Sequence, residues 1–204
     1  MVMGQRQRLG LLLGLNLVMI TALVIVGFLA NSLGLLAAGA DYVTDTATIL
    51  LGITAVTIRN RVGPHSRAPA WVALFNVTAL LVVTGFVIAE SVRRLVEGSP
   101  AVNGLPVLIV SAVATLVMVG GVFILGLDAG REDLHMRSVL LDTMADAVAS
   151  AAVAVAGAVI YLTGGFFWLD PVLAGLIGLV IVVGALRLLR DVLVSLRGPR
   201  EVPR

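Results

Sequence analysis

Six long apolar segments, separated by short polar or glycine-containing connections, dominate the hydrophobic pattern of the chain. Each is close to or longer than the roughly 20 residues that a helix needs to cross the hydrocarbon core of a bilayer. The pattern predicts membrane-spanning helices over 9–30, 32–58, 68–89, 102–127, 138–162 and 171–189. We therefore expect an all-α, polytopic membrane protein built as a six-transmembrane-helix bundle. Tails at 1–8 and 191–204 flank a transmembrane domain at 9–190.

The composition excludes an ordinary soluble domain. Hydrophobic residues make up 59% of the 204 residues, charged residues only 13%, and the mean hydropathy is +1.09. Soluble globular domains are about 25% charged. We expect membrane lipid, and no nucleic acid, as a partner.

The basic residues predict the orientation of the helices. All fourteen are arginine, and they lie near the ends of the apolar segments. When the loops are placed on alternate sides of the membrane, one side receives twelve arginines and the other only Arg93 and Arg94. The positive-inside rule places the arginine-rich side in the cytoplasm, with both termini. We expect a multi-pass protein of the plasma (inner) membrane, and the exclusive use of arginine indicates a GC-rich bacterial genome.

Two pairs of aspartates interrupt the apolar segments. Asp41 and Asp45 lie in the sequence ADYVTDTAT, and Asp142 and Asp146 lie in VLLDTMADAVAS. Residues four apart share one face of a helix, so each pair projects in one direction. Four carboxylates facing lipid would cost roughly 10 kcal/mol, at about 2.5–3.5 kcal/mol each. We therefore expect them to face each other or a cation.

Four carboxylates on two packed helices would form a binding site for a divalent cation. Thr48 and Ser150 are expected on the same two faces. Repulsion among the four charges favours partial protonation of the empty site, so that a metal ion entering it would displace protons. The same residues would then supply both metal binding and proton exchange, which is the chemistry of an antiporter.

The chain contains no cysteine, which excludes disulfides and thiolate metal sites. Nitrogen ligands could come only from His65 and His135. Each could belong to a peripheral metal site or be a solvated loop histidine, and the sequence leaves their role open.

Several motifs resemble the cation diffusion facilitator family of divalent-metal/proton antiporters, over residues 9–197. SLGLLAAGADYVTD resembles the family's SLALLADAGHMLSD, and HMRSVLLDTMADAVAS is similar to its pattern N-x-R-x-x-x-L-H-x-x-x-D-x-x-x-S. RAPAWVALFN and ESVRRL also resemble family motifs, as does Asp170-Pro171 at the start of the sixth segment. The motifs occur in the same order as in the family, and the aspartates stand at the corresponding positions of the family motifs.

The resemblance implies that Asp41, Asp45, Asp142 and Asp146 form the intramembrane metal site. It implies a secondary transporter, not an enzyme, that exports Zn²⁺ and/or Mn²⁺ from the cytoplasm in exchange for protons and also admits Fe²⁺, Co²⁺ or Cd²⁺. The transported metal is the only metal expected, no cofactor is expected, and the resemblance implies a homodimer. Zinc-selective members commonly have histidine where Asp41 or Asp142 stands. The family's cytoplasmic metal-binding domain is missing from this sequence, so the chain is expected to be either a naturally short member or a truncated one.

Two other functions fit part of the pattern. An intramembrane aspartyl protease also uses aspartates on two helices, but it needs one catalytic acid per helix in a G-x-G-D context, whereas both helices here carry pairs. A non-transporting membrane assembly protein is the second alternative.

Overall fold

The described part of the chain is entirely helical apart from short connections. A computed structural model describes the backbone of residues 5–62, 68–125 and 134–197, and within these ranges there are six helices and no strand. They are α1 (Gln5–Leu29), α2 (Leu33–Val62), α3 (Ala68–Glu97), α4 (Gly104–Leu125), α5 (Leu134–Thr163) and α6 (Leu169–Arg197). Some helical side chains, including those of Asp45 and Asp142, lie outside the described part. The predicted all-α, six-helix fold is confirmed.

The helices have the length and surface of a membrane protein. Three described segments are long and apolar enough to cross a membrane: Ala70–Glu97, Thr143–Thr163 and Leu169–Val194. Shorter apolar stretches lie in the other three helices. Large apolar side chains such as Phe75 and Phe86 of α3 are more than two-thirds exposed. In a bilayer these side chains contact lipid instead of water.

The third helix is longer than the sequence pattern predicts. Residues 90–100 are predicted to be a polar connection, but α3 continues to Glu97. Arg93 donates two hydrogen bonds to the Glu90 carboxylate, at 2.8 and 2.7 Å, and lies 3.6 Å from a carboxylate oxygen of Glu97. Such pairs one turn apart stabilise a helix on its polar surface. The helix ends where Gly98 adopts a φ of +107°, a conformation that favours glycine.

The six helices pack mainly as three pairs. α4 lies along α5, α3 along α6, and α1 along α2, while α2 also contacts α3 and α6. Direct contacts between α2 and α5 are much sparser. The two helices that carry the aspartates are therefore held mainly by their other neighbours, and they touch each other near Gly34 and Val153.

Glycine allows the backbones of α4 and α5 to approach closely. A Cβ added to Gly157 would lie 2.7 Å from the backbone nitrogen of Leu108. A Cβ added to Gly104 would lie 2.5 Å from the backbone nitrogen of Tyr161. Small residues commonly permit such approach between membrane helices, where dispersion contacts drive association.

A buried aspartate of α6 joins this helix to the start of α2. Asp170, in the first turn of α6, is 2% exposed. Its carboxylate accepts hydrogen bonds from the Ser32 hydroxyl at 2.5 Å and from the backbone N–H groups of Leu33 and Gly34 at 2.6 and 3.1 Å. The Ser32 oxygen in turn accepts a bond from the N–H of Leu35 at 3.2 Å. The N–H groups that α2 leaves without helical partners are thus satisfied by both residues.

An arginine of α3 fixes the same end of α2. Arg94 donates to the backbone and side-chain oxygens of Asn31, both at 2.8 Å, and to the Glu90 carboxylate at 3.1 Å. Asn31 has a φ of 57°, in the left-handed region that asparagine tolerates better than most residues. The beginning of α2 is therefore attached to both α3 and α6.

Replacing Gly157 with alanine should destabilise the protein by about 1–3 kcal/mol, because the new methyl group forces α4 and α5 apart. A lower midpoint of thermal unfolding in detergent would confirm this. Gly120→Ala is the control, since no atom of the described side chains or backbone lies within 4 Å of a Cβ at that position. Equal midpoints for the two variants would contradict the close packing at Gly157.

Replacing Asp170 with alanine should lower the free energy of unfolding by roughly 2–3 kcal/mol, since three buried donors lose a charged acceptor. Denaturant unfolding in detergent measures the change. Asp191→Ala removes an exposed acid from the same helix and should have little effect. A loss of stability as large in Asp191→Ala would show that the contacts of Asp170 are not the cause.

Candidate functional site

A large cavity that is open on one side lies between the helices. Its volume is about 1060 Å³, and all six helices contribute residues to its lining. Most of the lining is apolar, from residues such as Leu80, Met118 and Ile177. The described polar residues of the lining are Asn16, Asp41, Thr44, Thr143, Asp146 and Arg187. The cavity therefore combines an apolar wall with five oxygen-bearing side chains and one arginine among the described residues.

Two of the predicted acids line this cavity from different helices. Asp41 projects from α2 and Asp146 from α5, and both side chains are half-buried. Most of the described lining comes from α5 and α6, and α2 contributes Asp41 and Thr44. The cavity thus brings together one member of each aspartate pair.

The other two predicted acids lie one helical turn away along the backbone. Asp45 follows Asp41 on α2, and Asp142 precedes Asp146 on α5, but the side chains of Asp45 and Asp142 lie outside the described part. Within the described side chains no three histidines or acids come together. The four-aspartate site therefore stays a prediction.

Hydroxyl groups accompany the acids in the cavity. Thr44 follows Asp41 on α2, and Thr143 precedes Asp146 on α5. The Thr44 hydroxyl donates to the backbone oxygen of Ala40 at 2.9 Å. Ser150, expected on the face of Asp146, is instead buried and is not among the described lining residues. The side chain of Thr48, the other hydroxyl expected there, lies outside the description.

A buried tyrosine next to Asp41 connects α2 to α4. Tyr42 is 2% exposed, and its hydroxyl donates to the backbone oxygen of Ala114 at 3.4 Å. Since the two residues are adjacent on α2, the packing of Tyr42 limits rotation of the helix about its axis. The burial of Tyr42 thus helps to set the direction in which Asp41 projects.

Asn16 of α1 is a cavity residue that the sequence interpretation missed. Its side-chain amide donates to the Thr46 hydroxyl of α2 at 3.2 Å. The available signal was its place as a polar residue within the first apolar segment, since polar side chains inside membrane segments are commonly functional. The two histidines, by contrast, cannot be assigned, because His65 and the side chain of His135 lie outside the described residues.

Comparison with known sequences identifies the family. A sequence model of the cation efflux transmembrane domain matches residues 10–197 of this chain. The chain belongs to the cation efflux family. The resemblance to the cation diffusion facilitators is thereby confirmed.

Curated relatives of this family member include bacterial and mammalian proteins. The zinc transporter ZitB of Escherichia coli (strain K12) is 30% identical over 177 residues, which cover 82% of this chain and 55% of ZitB. The ZitB of Pectobacterium atrosepticum is 27% identical, covering 82% and 54%. The proton-coupled zinc antiporter SLC30A2 of Mus musculus is 27% identical over 214 residues, covering 94% and 57%. The chain spans about half the length of the curated relatives it matches.

Proposed function

We propose that this chain moves divalent transition-metal cations across a membrane in exchange for protons, exporting them from the cytoplasm. The observation that carries the proposal is the cavity that Asp41 and Asp146 line together, inside a bundle of the cation efflux family. The names of its relatives, a zinc transporter and a proton-coupled zinc antiporter, support the same function.

The proposed binding site consists of Asp41, Asp45, Asp142 and Asp146. Carboxylate oxygens bind Zn²⁺ at about 2.0–2.2 Å, and two residues from each of two helices can supply a four-coordinate shell. Zinc is the substrate that the names of the relatives support. Mn²⁺ is a second proposed substrate, since a site made only of oxygen ligands suits this harder cation as well.

Proton exchange follows from the chemistry of a carboxylate cluster in an apolar cavity. Two or more negative charges held close together without a cation repel each other, which favours protonation of part of the set. A metal ion binds the deprotonated oxygens, so its entry releases protons. Departure of the metal on the other side of the membrane then leaves the acids free to take up protons again.

The alternatives are less well supported. A protease with two catalytic aspartates needs one aspartate on each helix, so it gives no role to the second aspartate of each pair. The match to the cation efflux domain covers residues 10–197, which include both aspartate pairs. A non-transporting assembly protein would give no reason for the acids of two helices to line a cavity with a mostly apolar wall.

We also propose a homodimer in the plasma (inner) membrane with both termini in the cytoplasm. The orientation rests on the arginine distribution, with twelve of fourteen on one side. The dimer rests on the resemblance to the family.

Replacing Asp146 with alanine should reduce metal transport at least about tenfold, because an incomplete set of ligands binds the metal weakly. Uptake of Zn²⁺ into proteoliposomes containing the purified protein measures the effect. Asp191→Ala, an exposed acid on α6, is the control and should transport normally. Asp45→Ala tests the predicted ligand whose side chain is not described. Full transport by both Asp45→Ala and Asp146→Ala would refute the site.

Transport should depend on a proton gradient. With the metal outside and the vesicle interior acidified, uptake should be faster than without a gradient, since protons leaving the vesicle exchange for entering metal. Reversing the gradient should slow uptake. Protein-free vesicles and the Asp146→Ala variant are the controls. Metal flux that is insensitive to the gradient would indicate a channel or uniporter.

A further inference from the structure

The first helix contributes a polar side chain to the cavity. Of the described residues of α1, only Asn16 belongs to its lining, together with Asp41 of α2 and Asp146 of α5. The neighbouring described residues of α1, Leu17 and Val18, are exposed on the outside of the bundle. A carboxamide is thus present among apolar neighbours on this helix.

A hydrogen bond determines which end of the amide faces the cavity. The amide nitrogen of Asn16 donates to the Thr46 hydroxyl at 3.2 Å. Thr46 is buried and is not among the described lining residues, so the nitrogen points into the contact between α1 and α2. An amide carries its oxygen on the other side of the same carbon, and this oxygen accepts no hydrogen bond from the described residues. The oxygen is therefore the polar atom that Asn16 can present to the cavity.

A carboxamide oxygen differs from a carboxylate in its effect on a metal site. It donates a lone pair without adding negative charge, so it raises the number of ligands without adding repulsion to the empty cavity. Zn²⁺ is usually satisfied by four ligands, whereas carboxylate, carbonyl and water oxygens in octahedral arrangements suit Mn²⁺. A further neutral oxygen should therefore help Mn²⁺ more than Zn²⁺.

We propose that Asn16 supplies an additional oxygen ligand to the metal held by the aspartates, positioned by Thr46, and that this ligand shifts the metal preference toward Mn²⁺. The proposal rests on the transport function above and adds a residue of α1 to a site otherwise formed by α2 and α5.

The test compares metal binding and transport by the wild-type protein and Asn16→Leu, which keeps a similar side-chain volume without the oxygen. Competition with a metal-sensitive dye gives the affinities of the purified protein for Mn²⁺ and Zn²⁺. We expect Asn16→Leu to lose about tenfold or more in Mn²⁺ affinity, with a much smaller change for Zn²⁺. The ratio of Mn²⁺ to Zn²⁺ uptake in proteoliposomes should fall in parallel.

Two further variants separate the ligand from the packing of α1. Asn16→Asp keeps an oxygen at the position and should retain Mn²⁺ binding even if the leucine variant folds poorly. Thr46→Val removes the hydrogen bond that orients the amide and should lower Mn²⁺ affinity by less than Asn16→Leu. Thr21→Val is the matched control. Among the described residues, the Thr21 hydroxyl bonds only to the backbone oxygen of Leu17 within α1, at 2.7 Å, and Thr21 does not line the cavity.

An unchanged Mn²⁺ to Zn²⁺ ratio in Asn16→Leu, with transport intact, would overturn the role of Asn16 and leave the proposed transport function standing. An equal loss of Mn²⁺ affinity in Asn16→Asp and Asn16→Leu would also overturn it, because the oxygen would then be irrelevant. A wild-type protein that binds neither metal would overturn both proposals.

Discussion

The free-energy cost of placing a carboxylate in an apolar environment constrains how the six helices are arranged. An acid on a membrane helix is tolerated where it faces other polar groups, water or a cation. Asp41 and Asp146 meet this requirement by lining a cavity whose described walls come mainly from α5 and α6, while α2 and α5 contact each other little. The helices must then obtain their packing elsewhere: α5 along α4, and α2 against α1, α3 and α6.

Polar contacts at the start of α2 hold this helix in place, although it packs little against α5. Asp170 and Arg94 bind the beginning of the helix from α6 and α3. The glycine contact between α4 and α5 lies near the same level of the bundle, at the start of α4 and late in α5. One end of the bundle is thus firmly joined, and the arginine distribution predicts that this end faces away from the cytoplasm.

The hydrophobic pattern was enough to predict six helices and their order, because a membrane span needs a long apolar run. It could not place the end of α3, where ion pairs involving Arg93 extend the helix beyond the apolar run. Asp41 and Asp146 could be predicted because acids in apolar segments are rare. Asn16 and Asp170 were not recognised as parts of networks, since their partners, Thr46 and Ser32, are 30 and 138 residues away in sequence.

The charged oxygens of this cavity lie on α2 and α5, whereas the neutral amide oxygen lies on α1. The metal preference can therefore be changed without changing the charge of the cavity. A fifth carboxylate would strengthen cation binding, but it would also increase the repulsion within the empty site and change the number of protons exchanged. An amide contributed by a third helix avoids both effects. Because the Asn16 amide is oriented by Thr46, which follows Asp45 on α2, a movement of α2 relative to α1 would shift the amide oxygen relative to the acids of α2. Metal preference would then depend on the contact between α1 and α2.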